Sequence, residues 1–242
     1  MNLSKIVKNY SLVDIIDIEQ QKDGQFVALQ SSYENISHKD VNSASAKFLK
    51  AVLINALISY QLSGTGEDWW REFGIWISSD FDNIDIFSTK HWEEFLLSSQ
   101  NNKRLVNIKL KRIQKISSFL DKIDSIGQLK YYYENMDVLN QDIAYYMNQK
   151  KTSKTVVFAV KMFGYAGRFV FQEMIYYPMS IGIPVDSRLL KIYSIEKSTK
   201  QPDLLEVNNF FDQLSKDSNI PPLHLDSLLW VEIWGKYIKN NI

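Results

Sequence analysis

The sequence predicts an all-α protein: two helical lobes with an intervening cleft, formed by a single domain over residues 1–242. Three observations lead there. Apolar residues recur at helical spacing along almost every segment. No Asn-Gly or Asp-Gly dipeptide joins two alternating runs, which argues against a sheet core. Cap and stop residues fall where the periodic runs begin and end. Hydrophobic residues make up 45% of the chain and charged residues 23%, so 242 residues can bury a large core.

Taken in order, a short extended segment is expected over residues 25–29. Phe48, Val52, Leu53, Ala56, Leu57 and Tyr60 then line a helix over residues 44–62, which Gly64-Thr65-Gly66 breaks. A helix over 67–77 opens with acids, which suit the positive end of a helix dipole. Residues 89–98 form a short helix, 105–126 a long basic one and 137–148 an aromatic one. Ser153 is the expected N-cap of a helix over 154–177, closed by Pro178. Asp186 stands where an N-cap belongs for a helix through Arg188, Leu189, Leu190, Ile192 and Tyr193. Helices over 203–215 and 221–239 follow, the second with a proline at its start, where the lost N–H costs nothing. No internal repeat and no low-complexity linker interrupts the chain.

Formal net charge is zero, which argues mildly against a nucleic-acid partner; a phosphate backbone responds to the local field instead. Lys103, Arg104, Lys109, Lys111, Arg112, Lys115 and Lys122 face one acid, Asp121, in a single stretch, and Lys150, Lys151 and Lys154 form a second basic knot. The plain alternative for both is a solvated surface. The chain has no cysteine, which excludes disulfides, thiolate zinc sites and iron–sulfur clusters and fits a reducing cytoplasm. Lys8, Asp14 and Asp17 interrupt any apolar N-terminal run, and the longest uncharged stretch, 51–66, is too short and polar to span a bilayer, so no membrane is expected. Three scattered histidines, His38, His91 and His224, give zinc chemistry little to work with. Gly64-Thr65-Gly66 follows a helix and is too short for a dinucleotide fingerprint. These readings favour chemistry without metal or cofactor.

The informative region runs from Lys150 to Tyr193. The stretch Lys154-Thr155-Val156-Val157-Phe158-Ala159-Val160-Lys161-Met162 opens a helix just after a polar turn. Phe158 lies one turn along from Lys154, where its ring would shield the amine from water. That shielding and the positive helix end both favour the neutral amine a nucleophile requires. Lys161 is two turns away, roughly 10 Å along the axis, and is not expected to share the chemistry. Further on, Ile183-Pro184-Val185-Asp186-Ser187-Arg188 sets a carboxylate at the next helix start. The plain alternatives are a solvated lysine and an ordinary cap worth about 1 kcal/mol.

These two runs, with His224-Leu225-Asp226-Ser227-Leu228-Leu229-Trp230 and weaker likeness around Gln30 and Trp69-Trp70, resemble the archaeal 8-oxoguanine DNA glycosylases. That is the AGOG family, a divergent branch of the helix-hairpin-helix glycosylases. The resemblance implies a bifunctional enzyme that excises 8-oxoguanine from double-stranded DNA and then nicks the strand. It would act as a monomer in a prokaryotic cytoplasm, with no cofactor and no metal. In that scheme Lys154 is the Schiff-base nucleophile, and Asp186 stabilises positive charge on the sugar and orients the amine. Gln30, Ser59, Phe158, Pro184, Asp226 and Trp230 would line the pocket for the extruded base, with Trp69 as a further member. Asp226 and Trp230, four apart on a helix, would project from one face. The family's relatives carry a Gly-hydrophobic-Gly turn, but the turn here is Asn148-Gln149-Lys150-Lys151-Thr152-Ser153, without glycine. Lys150, Lys151 and the helix-start amides are the expected phosphate contacts. Two alternatives remain: the same fold with another base specificity, and a non-enzymatic helical interaction module.

Overall fold

Side-chain caps decide where many of the helices begin. In the computed structural model, which describes residues 3–36 and 40–241 and so leaves His38 outside, there is no strand among the described residues. The chain forms α1 (Leu3–Val7), α2 (Leu12–Lys22), α3 (Gly24–Glu34), α4 (Val41–Ile58), α5 (Gly66–Ser79), α6 (Thr89–Ser98) and α7 (Val106–Leu120). It continues through α8 (Ile126–Glu134), α9 (Met136–Met147), α10 (Lys154–Val170), α11 (Ser187–Glu196) and α12 (Leu204–Ser218). A final stretch comprises α13 (Pro222–Leu228), a π-helical turn at Leu229–Ile233 and α14 (Trp234–Asn241). Ser11, Asp40, Thr65, Ser88, Ser125, Asp186 and Asp203 each accept a first-turn amide with a side-chain oxygen.

The all-α expectation therefore holds, with local corrections. Residues 25–29 are helical within α3, whose Phe26 and Leu29 are buried at helical spacing. The basic helix expected to run to 126 ends at Leu120, because Ser125 caps a new helix by accepting from the Gln128 amide. The helix expected over 154–177 ends at Val170. Gln172 takes a left-handed backbone there (φ 52°), and the Tyr133 hydroxyl then holds the departing chain. It donates to the Glu173 carbonyl at 2.7 Å and accepts from the Ile175 amide at 3.3 Å.

The structure resolves into two compact units, Gly24–Ile175 and a second made of Met1–Asp23 with Tyr176–Ile242. In the first, α4 is apolar nearly all round and takes α10, α7 and α8 against it. It is long and apolar enough to cross a membrane, but most of it is buried in this core. Its Lys47 and Lys50 donate to the carbonyls of Phe81 and Ile123. Helix α3 packs on α5, where Gly74 leaves the room that Ser32 fills. Trp69, Trp76 and Phe95 stack with ring centres 5.0 and 4.4 Å apart.

The second unit buries Leu3, Ile15, Ile18, Leu189, Ile192, Val207, Phe211, Leu225, Leu228 and Ile233. Helix α2 packs on α13, and between them His224 Nδ1 lies 3.0 Å from Glu19 Oε1 with both side chains fully buried. His224 Nε2 accepts from the Tyr177 amide, so Nδ1 carries the proton and donates to the carboxylate.

The basic helix does not present all its charges to solvent. Lys109 is wholly buried, its ammonium donating to the Asn102 side chain and lying 5.3 Å over the Tyr60 ring. Burial pushes its pKa down to about 8, and Arg104 pushes the same way. An unfolded lysine titrates near ~10.4, so between those values the unfolded chain holds a proton that the folded chain has lost. Stability contributed by this site therefore rises with pH across that window. In urea unfolding at pH 7.5 and pH 10, wild type should gain on the order of 2 kcal/mol relative to Lys109→Met at the higher pH. An unchanged difference would mean that Lys109 titrates as a solvated lysine.

Candidate active site

The turn between α9 and α10 needs one residue in a left-handed conformation. Asn148 supplies it (φ 51°), and asparagine tolerates that region through local hydrogen bonding. This is how the turn dispenses with glycine. Its backbone is tied down at several points. Gln149 N donates to Ala144 O at 2.9 Å, Ser153 N to Lys150 O at 2.9 Å, and Asn140 Nδ2 to Lys151 O at 3.3 Å. Lys115 Nζ donates to Met147 O at 2.9 Å, where a cation suits the negative end of α9. Arg112 reaches both Gln149 Oε1, at 3.1 Å, and Thr155 Oγ1, at 2.9 Å. Burial pulls the Arg112 guanidinium below its ordinary pKa, with Tyr60 acting in the opposite direction. Lys150 and Lys151 remain exposed.

Ser153 occupies the N-cap position of α10, but its hydroxyl makes no capping bond. Lys154 is the first helical residue and is exposed. The expected shielding by Phe158 is thus absent. Helical side chains lean toward the N-terminus, so Lys154 leans beyond the helix end, where no earlier turn covers it. The half-buried Phe158 instead packs edge-on against Trp70, with ring centres 6.3 Å apart. Lys161 is buried, its ammonium 5.5 Å over the Tyr165 ring.

Two further sequence-predicted residues meet in the same unit. Ser59, at the C-terminal end of α4, accepts from Trp69 Nε1 at 2.8 Å and donates to Asn55 O at 2.7 Å. That pair fixes Trp69, which is wholly buried and stacked on Phe95. Gln30, on α3, donates through Nε2 to Glu34 at 2.9 Å, which orients its amide.

Asp186, Pro184, Asp226 and Trp230 belong to the other unit. Pro184 is buried, and Asp186 and Asp226 are partly buried. Asp186 accepts both the Arg188 amide, at 2.9 Å, and the Leu189 amide, at 3.0 Å, through Oδ1. Capping therefore accounts for one carboxylate oxygen. The straight helix expected over 221–239 is interrupted, since the Trp234 amide bonds to Leu229 O, five residues back. Trp230 lies in this wider π-turn, so its direction from Asp226 is not that of an unbroken α-helix; such turns often accompany functional sites. The Arg188 guanidinium lies 3.0 Å from the centre of the Trp230 ring. Neither the π-turn nor the Arg188 stack was legible beforehand: the first depends on backbone packing and the second on a contact between distant segments. Among the described residues, no three His, Cys, Asp or Glu side chains gather as a metal site.

Most of the chain matches known proteins. A curated N-glycosylase/DNA lyase from Thermococcus kodakarensis is 43% identical over 219 residues, 90% of this chain and 78% of that protein. One from Methanococcus maripaludis is 39% identical over 236 residues, 95% of this chain and 88% of that protein. The crystal structure of the 8-oxoguanine DNA glycosylase from Pyrobaculum aerophilum, complexed with 8-oxoguanosine, shares the fold with a TM-score of 0.78 at 24% identity. That match covers 94% of this chain and 84% of the other. The non-enzymatic alternative is thereby set aside. Residues 4–241 match the profile of the AGOG family, described as N-glycosylase/DNA lyase, and the chain belongs to that family of DNA glycosylase/lyases.

Proposed function

We propose that this enzyme excises 8-oxoguanine from duplex DNA through a lysine Schiff base, with Lys154 as nucleophile and Asp186 as the supporting carboxylate. The observation that carries the reading is the exposed amine of Lys154 at a helix start held by a tightly bonded turn. A base extruded from the duplex is open to such an amine. Nζ attacks the sugar C1′, the N-glycosidic bond breaks, and the base leaves with its bonding pair and takes up a proton. The negative charge of Asp186 offsets the positive charge developing on the sugar. Loss of a proton from Nζ and opening of the C1′–O4′ bond then give the imine, with O4′ leaving as a hydroxyl; the imine acidifies the C2′ proton, whose loss expels the 3′ phosphate from C3′ and breaks the strand.

8-Oxoguanine carries a hydrogen on N7 where guanine has a lone pair. A site built to accept that hydrogen leaves a buried acceptor facing a lone pair when guanine enters. Gln30 suits this role: Nε2 is engaged with Glu34, and Oε1 is the acceptor of the amide. Asp226 supplies an acceptor for ring N–H groups, and Trp230 a stacking surface. Lys150 and Lys151, with the uncapped start of α10, suit phosphate capture. The reading carries with it a monomer working in a prokaryotic cytoplasm, and light scattering of the protein alone and with duplex tests the first part.

The deciding experiment is borohydride trapping on labelled duplexes that carry one 8-oxoguanine, one guanine, one uracil or one abasic site at the same position. The expected result is an adduct with 8-oxoguanine and the abasic site, and none with guanine. Adduct on the abasic site alone would make the protein a lyase without this base specificity. Faster release of another base would reassign the substrate.

A further inference from the structure

Arg112 stands among the charges of a helix that reads as a phosphate-binding surface, yet its donors point into the protein. Nε donates to Leu57 O at 2.9 Å, in the last turn of α4, where an orphan carbonyl and the negative helix end both favour a cation. One terminal nitrogen donates to Gln149 Oε1 and Thr155 Oγ1, and the Thr155 hydroxyl in turn donates to Gln149 Oε1 at 3.2 Å. The guanidinium lies 5.3 Å from the centre of the Tyr60 ring. One side chain thus ties the end of α4, the turn and the first turn of α10 together. Thr155 is the immediate neighbour of Lys154, and Ser153 provides no cap to hold that turn.

We infer that Arg112 is a positioning residue for the reaction, fixing the start of α10, and with it Lys154, through Gln149 and Thr155. The inference rests on Lys154 being the nucleophile. A guanidinium alone has this planar fork of donors; lysine keeps the charge but only as a point. Charge and geometry can therefore be separated by one substitution.

The test uses the full chain, a duplex with one 8-oxoguanine and a matching abasic duplex, under single-turnover conditions with borohydride. Binding is measured by fluorescence anisotropy in the Lys154→Gln background, and thermal melting is followed in parallel. Arg112→Lys is expected to slow adduct formation by about ten- to a hundredfold, as a small misplacement of a reacting group does. The duplex Kd should stay within about threefold, because the charge is kept. Thr155→Val should slow the reaction less, and Arg112→Lys with Thr155→Val no more than Arg112→Lys alone, the mark of a shared path. If Arg112→Lys does not fold, Thr155→Val and Gln149→Leu carry the same comparison.

Adduct formation at the wild-type rate in Arg112→Lys, a loss confined to Kd, or additive effects would each overturn the inference. Absence of adduct with wild type on both duplexes would overturn the Lys154 reading and this inference with it. An adduct with wild type that Arg112→Lys leaves unchanged would overturn the role of Arg112 alone.

Discussion

Lys154→Gln is expected to abolish the trapped adduct and to lower strand nicking by on the order of a thousandfold or more, since the nucleophile itself is removed. Glutamine preserves much of the length of the side chain but has no basic amine. Lys154 is exposed at the helix start, so the variant should fold normally, with stability within about 0.5 kcal/mol of wild type. Duplex binding should fall only by the share of one cation among several. The measurement is a denaturing gel of borohydride-treated reactions beside an anisotropy titration. An adduct that persists at wild-type yield would move the nucleophile to another amine. An adduct lost together with folding would show instead that Lys154 holds the helix start.

Asp186→Asn is the second large effect and separates the observed capping role of this residue from its proposed catalytic one. Asparagine is as good an N-cap as aspartate, so Oδ1 can go on accepting from Arg188 N and Leu189 N. Stability should therefore change by no more than about 0.5 kcal/mol, whereas Asp186→Ala, which removes the cap as well, should cost about 1 kcal/mol. The neutral amide cannot offset positive charge on the sugar, and base release should fall by on the order of a hundred- to a thousandfold in Asp186→Asn. Single-turnover base release, with urea unfolding of the same preparations, checks both parts. If Asp186→Asn releases the base at the wild-type rate, Asp186 is a cap and nothing more.

Family membership gives these two substitutions their setting, while the structure shows why each should be readable. Lys154 can be changed without opening a core. Asp186 can lose its charge without losing its capping bonds. The same reasoning does not extend to Trp69 or Ser59. Trp69 is wholly buried, and Ser59 holds its indole, so replacing either disturbs packing before it reports on substrate.

Local information was enough for many helix starts. Thr65, Ser88, Asp186 and Asp203 stand one residue before a helix, because a short polar side chain there satisfies amides that have no partner within the helix. The all-α class was legible for the same reason: 3.6-residue periodicity is a property of neighbours in sequence. The motif runs around Lys154 and Asp186 could likewise be read from a string of letters, as could the missing glycine in the turn.

The tertiary structure decided what depends on partners far along the chain. Helix α10 stops at Val170, with Tyr133 holding the next residues, and nothing local to 170 announces that hydroxyl. The turn before α10 keeps its shape through Asn148, Lys115 and Arg112, two of them from another helix. Charges that read as one solvated stripe divide into the buried Lys109, the inward-pointing Arg112 and the exposed Lys111, because each rotation along a helix meets a different neighbour. Sequence alone determined the helical class and many helix starts, which rest on short-range spacing, and it held the motif runs that carry the family resemblance. Which side chains are buried, which helices stop early and which cation holds the turn before α10 rest on long-range contacts, and those exist only once the chain has folded.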